Sequence, residues 1–137
     1  MAVRLAAGAT EAEWRSATSR AYYAAFHAAR DLFRGLGFVV PRADAAHKYL
    51  AFRLQNSGNT QLRDAGRELD DLRQLRNEAD YDIGRSYGQH IAHSQVALSQ
   101  RITQGLAVAA VEPTRTQVRD AMIAYERNVL RRVTWTP

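Results

Sequence analysis

Apolar residues in this chain return at three- and four-residue steps over most of its length, and that period limits what it can fold into. The first run is the longest. Thr10 and Glu13 form a T-x-x-E signature of a capped helix start. Trp14, Ala17, Ala21, Ala24, Ala25, Ala28 and Leu32 then recur with helical spacing, while Tyr22, Phe26 and Phe33 widen the stripe. Gly35 and Gly37 end it, as glycines commonly end helices. Such a helix has about 25 residues and a length of about 37 Å at 1.5 Å per residue. The small residues of SRAYYAAFHAAR let a second helix approach closely.

The rest of the chain repeats the pattern. Phe38, Val39 and Val40 lead into Pro41 as an extended connection, because a residue before proline disfavours the helical region. The spacing predicts a second helix from about Ala43 to Gln55, then a turn at NSGN, residues 56–59. A third helix runs from Thr60 to Ala79 or Asp80, and Gly84 and Gly88 loosen the next connection. A fourth carries Ile91, Leu98, Ile102 and Leu106 to about Ala110. Glu112-Pro113-Thr114 breaks the chain, and proline suits the first turn of the helix that follows. On that helix Val118, Met122, Tyr125 and Val129 form a stripe that docks on the bundle or on a second subunit. No useful strand alternation, internal repeat or low-complexity segment interrupts this reading. The expectation is an all-α, antiparallel bundle of four to five helices over residues 1–111, with an extra C-terminal helix in a 112–137 extension.

A chain of 137 residues suits one compact domain with a real core. The absence of Cys removes disulfides, thiolate nucleophiles and zinc–thiolate sites. No apolar run approaches a membrane span, and MAVRLAAGAT is too short for a secretory apolar region, so the expectation is a cytoplasmic protein with no membrane partner. The net charge is +5, and Lys48 is the single lysine among 19 basic residues. Arginine is the better residue for bidentate phosphate contacts. The excess lies at the ends: residues 1–58 carry 8 bases against 4 acids, residues 59–111 carry 6 against 7, and residues 112–137 carry 5 against 3.

The third helix holds the most informative residue. Leu62, Ala65, Leu69, Leu72, Arg76 and Ala79 follow a 3-4-3-4-3 progression and fall on one arc. Arg76 therefore lies on the stripe that faces the core or a partner helix. Glu68 falls near the arc, and Arg73 and Asp80 at its edge. A charge there is costly unless it is paired or has a ligand. Two readings follow: a buried ion pair with Asp80, Glu68 or an acid on another helix, or an arginine held at a cleft and aimed at phosphate.

SRAYYAAFHAARDLFRGLG, then AHKYL, then LDDLRQLRNEADYD occur in that order over roughly residues 14–110. The ordered set resembles the HEPN-domain proteins, in their branch of small prokaryotic members. The segment after Glu112 lies outside the resemblance. The resemblance implies a helical bundle that commonly dimerises, that cleaves or binds RNA, and that is often encoded beside a minimal nucleotidyltransferase in toxin–antitoxin pairs. Active members place an Arg, then four to six residues, then a His, with a polar residue just after the Arg. Two copies meet and form a metal-independent ribonuclease site. There the His would act as general acid–base and the Arg would hold the scissile phosphate. Arg76 and Asn77 match that pattern, but Tyr81 stands where a His would, and the next histidine is His90. Tyrosine, with a pKa of about 10, is a poor base at neutral pH. The tyrosine that a partner nucleotidyltransferase modifies in some members would fall on Ile83.

Other residues then come forward as the base. His47, in the family-like His-Lys pair, is the best candidate; Tyr81 and Asp80 follow, although an adjacent Arg76 would lower the pKa of Asp80. His27, among alanines, reads as a partly buried, hydrogen-bonded histidine. His90 and His93 stand at i, i+3 with no acid beside them, so neither a metal nor another cofactor is expected. Candidate contacts to RNA or a nucleotide are Arg73, Arg76 and Lys48, with Tyr22 and Tyr23 stacking on bases or filling a core or interface. Arg115, Arg119, Arg127, Arg131 and Arg132 track a phosphate backbone or, interrupted by Asp120 and Glu126, form a solvated face. Walker-type, G-x-G-x-x-G, HExxH and G-x-S-x-G motifs are absent. The expectation is a dimeric binding module of a toxin–antitoxin or defence system. It would be joined through its first and third helices and engage RNA, a nucleotide or a nucleotidyltransferase antitoxin. The alternative is a metal-independent endoribonuclease that uses Arg76 and a non-standard base. A purely structural dimer, with Arg76 in an ion pair, is the third.

Overall fold

Thr10 caps the first helix: its Oγ1 accepts the backbone N–H of Glu13 at 3.1 Å, and Glu11 and Glu13 place negative charge in the first turn. Helix α1 runs Glu11–Leu36 and stops at Gly37, whose φ of 107° lets its N–H reach the carbonyls of Phe33 and Arg34. A Cβ at Gly37 would stand 2.8 Å from the Thr136 carbonyl oxygen and from Trp135 Nε1, so glycine is needed there twice over. Helix α2 (Asp44–Gln55), α3 (Thr60–Tyr81) and α4 (Gln89–Leu106) follow. A 3₁₀ turn, Ala107–Ala110, leads to α5 (Thr114–Tyr125), which widens into a π turn at Glu126–Leu130. The computed structural model describes residues 10–81 and 89–137, the side chains of 78–81, 89 and 90 excepted. Gly84 and Gly88 lie outside the described residues. Among the described residues the regular structure is helical, with one isolated antiparallel bridge between Phe38 and Trp135.

The order of contacts gives the topology. His47 meets Asp70, and further along α2 Ala51 and Leu54 meet Gly66, so α2 and α3 run antiparallel. A Cβ on Gly66 would come within 2.9 Å of the Ala51 carbonyl oxygen and of Leu54 Cβ, and this crossing needs a residue without one. Glu68 meets Arg101, and Ala65 meets Gly105, so α3 and α4 are antiparallel too. Phe33, Leu50, Leu54, Leu62, Leu69, Leu72, Ile102 and Met122 are fully buried in one core. Ala17, Ala21, Ala92 and Val96 form a second cluster, where Ser99 Oγ reaches the Ala21 carbonyl at 2.7 Å. The alanines of α1 thus bring α4 close, as their size suggests. The architecture is the expected all-α bundle.

Two stripes depart from expectation. On α1 the expected Ala17, Ala21 and Ala25 are buried, with Tyr22 and Phe33, but Thr18, Ala29 and Leu36 join them while Ala24 is exposed and Ala28 and Leu32 are only half-buried. The helix serves two clusters along its length, so its buried face follows the expected stripe in the first half and shifts to Ala29, Phe33 and Leu36 in the second. On α5, Val118 and Met122 are buried, but Val129 is 65% exposed and Glu126 is fully buried in its place. The π turn inserts an extra residue into the helical repeat and turns Val129 outward. Arg53 Nε, 2.8 Å from Glu126 Oε2, makes the buried carboxylate tenable. The chain end then crosses the loop after α1: the Thr136 N–H bonds to the Gly37 carbonyl at 2.9 Å, and Trp135 Nε1 to that of Leu36 at 2.8 Å. No helix among the described residues is long and apolar enough to cross a membrane.

Candidate functional site

The middle of α1, the start of α2 and the last turns of α3 enclose a pocket of about 290 Å³. Five arginines line it (Arg30, Arg34, Arg42, Arg73 and Arg76) against one acid, Asp44. Arg30 and Arg34 stand one and two turns beyond Phe26 on α1, Arg73 and Arg76 lie at i, i+3 on α3, and Arg42 precedes α2. So many like charges in one concavity repel one another, and an anion relieves that repulsion. Aromatic rings supply the remaining wall. The Arg30 guanidinium lies 5.8 Å from the Phe26 ring centre, and that of Arg76 lies 5.5 and 5.0 Å from the rings of Tyr22 and Tyr23.

Arg76 is half-buried. Its Nη2 donates to the Tyr23 hydroxyl at 2.7 Å and its Nη1 to Asn77 Oδ1 at 3.4 Å. Glu68, one of the acids foreseen as its partner, instead pairs with Arg101 at 3.3 Å. The arginine on the apolar stripe lines the cleft. The side chains of Asp80 and Tyr81 lie outside the described residues.

His47 forms the back of the same pocket and is only 2% exposed. Its Nε2 is 2.9 Å from Asp70 Oδ1, and its Nδ1 is 3.2 Å from the Tyr22 hydroxyl. Burial lowers the pKa of the imidazole, and the bond to Asp70 offsets this only in part. The ring is neutral near pH 7, with Nε2 donating to the carboxylate and Nδ1 accepting from the phenol. Burial likewise pushes Tyr22 up to about 12, against the opposing pull of Arg76 and Arg73. Asp70, His47 and Tyr22 thus form a satisfied chain whose ring nitrogens are both engaged.

The other sequence candidates divide. Tyr22, Tyr23, Arg73 and Arg76 line the pocket together with His47, and Asn77 touches Arg76. Lys48 does not join them: it lies on another face of α2 and lines a separate groove. His27, expected to be partly buried, is exposed and stacks its ring 6.1 Å from that of Tyr23. The reason is its position on α1, two residues from each of the buried Ala25 and Ala29, which turns it to the opposite side of the helix. His93 is exposed, the His90 side chain lies outside the described residues, and among the described residues no three ligating groups converge on a metal site. Of the C-terminal arginines, Arg115 binds the Gly35 carbonyl at 2.8 Å and Arg119 pairs with Asp120 at 3.1 Å. Sequence reasoning missed Arg30, Arg34 and Arg42. The four-residue row Phe26, Arg30, Arg34 was the signal for two of them.

Comparison with known proteins gives one match: a family model described as the HEPN domain covers residues 6–108. No curated protein and no solved structure matches the chain.

Proposed function

The chain belongs to the HEPN-domain family, and from that premise we propose that it binds RNA or a nucleotide through the arginine pocket. It would act as a dimeric module of a toxin–antitoxin or defence system. The observation that carries this reading is the ratio of five arginines to one acid in a pocket walled by aromatic rings. Arg76 and Arg73 would grip the phosphate, and Arg30, Arg34 and Arg42 would neutralise the flanking charge. Tyr23, 42% exposed beside His27, offers a face for a base. Two copies would meet through α1 and α3, and a nucleotidyltransferase antitoxin would be the cognate partner. In this reading residues 1–111 form the binding bundle, and residues 112–137 brace it.

The second reading is a metal-independent endoribonuclease. It draws on the Asp70–His47–Tyr22 chain in the wall beside Arg76. Catalysis would require His47 or Tyr22 to take a proton from the attacking 2′-hydroxyl, or Asp80 or Tyr81 to do so from the end of α3, with Asn77 positioning Arg76. A tyrosine held at about 12 and a histidine with both nitrogens engaged are poorly set for that transfer at neutral pH, which favours binding without cleavage. The test is binding of a fluorescent single-stranded RNA in EDTA, with gel analysis of the same RNA for cleavage. Binding with the strand left intact supports the module, and cleavage lost in Arg76→Ala supports the enzyme.

A further inference from the structure

A larger concavity, about 660 Å³, opens on a different face of α2. Its walls are the loop after α1, the outer side of α2 and the chain end beyond the π turn. Val39, Phe52 and Val133 are 61%, 50% and 47% exposed there, an apolar cluster of a kind that marks an interaction site. A hydrogen-bond network around Glu126 ties the floor together. Glu126 Oε2 takes the Arg53 Nε–H and the Thr134 hydroxyl, Oε1 takes the Thr134 backbone N–H at 2.8 Å, and Tyr49 joins Thr134.

Charge selects the occupant. The Arg53–Glu126 pair cancels inside the floor, and no carboxylate lines the groove among the described residues. Lys48 and Arg132 remain as the cations at its edge. Leu130–Thr134, one whole wall, falls beyond the 6–108 span of the family domain, so the shared domain does not account for the groove.

We propose that this groove binds an acidic peptide segment of a partner protein, with bulky apolar side chains seated against Phe52, Val39 and Val133 and acids against Lys48 and Arg132. A second copy of the chain is disfavoured, because a two-fold contact would set Lys48 and Arg132 against their own equivalents in a protein of net charge +5. RNA would find a single well-exposed ring, Phe52, and two cations, against the five arginines of the other pocket.

The test is selection from a displayed library of random peptides on the full chain, followed by anisotropy titration of the enriched peptides. The expected consensus pairs bulky apolar residues with flanking Asp and Glu. Binding should weaken about tenfold or more in Phe52→Ser and in Lys48→Glu/Arg132→Glu, and stay unchanged in Arg76→Ala. Each of the substituted positions, Phe52, Lys48 and Arg132, is exposed, and melting curves check that the variants fold. No enrichment, a basic consensus, or binding indifferent to the groove variants overturns the proposal. So does a labelled RNA that loses affinity in Phe52→Ser, or a dimer that Phe52→Ser dissolves.

Discussion

Arg76 donates through Nη2 to the Tyr23 hydroxyl at 2.7 Å, and its guanidinium carbon lies 5.0 Å from the centre of the same ring. One exposed tyrosine therefore positions the arginine by two contacts, across the gap between α1 and α3. These contacts hold the side chain in place within the pocket wall, which lowers the ordering cost of binding an anion there.

Salt should weaken RNA binding, with a linear fall of log affinity against log salt concentration. Arg73→Ala should reduce the slope by about 0.7, the value for one phosphate contact on a single strand. Anisotropy titrations at several salt concentrations measure it. An unchanged slope would remove Arg73 from the phosphate path.

Mild acid should destabilise the fold through His47. Its folded pKa lies below the unfolded value of about 6.5. Between the two values the unfolded chain binds the extra proton. Stability is therefore complete above about pH 6.5 and declines as pH falls through that window. His47→Gln should flatten the part of the melting-temperature profile between about pH 7 and the folded pKa. A profile that keeps its slope in this variant would assign the effect elsewhere.

Glu126 anchors the chain end, and Glu126→Ala leaves the nearly buried Arg53 without its partner. The expected loss is about 3–5 kcal/mol, or a melting temperature lower by about 10 °C or more. Burial raises the Glu126 pKa, but the bonds from Thr134 and Arg53 outweigh it and leave the pKa below the ordinary carboxylate value. This contribution is present above the unfolded pKa of about 4.5 and is lost as pH falls through the folded one, a window separate from that of His47. A loss within about 1 kcal/mol would mean that the chain end is held by Trp135 and Thr136 instead.

Much of this fold could be read in advance. The cap at Thr10, the turn at 56–59 and the break at Pro113 are local signals, and each helix formed near its expected bounds. The core residues of α3 followed one period because that helix packs along a single face. Tertiary detail was hidden where a local rule was overruled. The π turn put Glu126 inside, because Arg53, far away in sequence, was there to receive it. The pocket was half legible: Arg76 stands out as a charge among leucines, while Arg30 and Arg34 join the pocket only through the packing of α2 and α3 beside α1, which no local spacing shows.

Light scattering at micromolar concentration should report a homodimer. A monomer would leave the arginine pocket to work within one chain and would remove the shared cleft across α1 and α3.

The most direct measurement is RNA affinity and melting temperature, side by side, for Arg76→Ala and the unaltered protein, with EDTA present. A lost charge-assisted phosphate contact predicts affinity lower by about tenfold to a hundredfold, from about 1.5–3 kcal/mol. The half-exposed arginine should cost the fold only about 1 kcal/mol, a few degrees of melting temperature. Unchanged RNA affinity together with a collapse in stability would make Arg76 a structural residue and contradict the account.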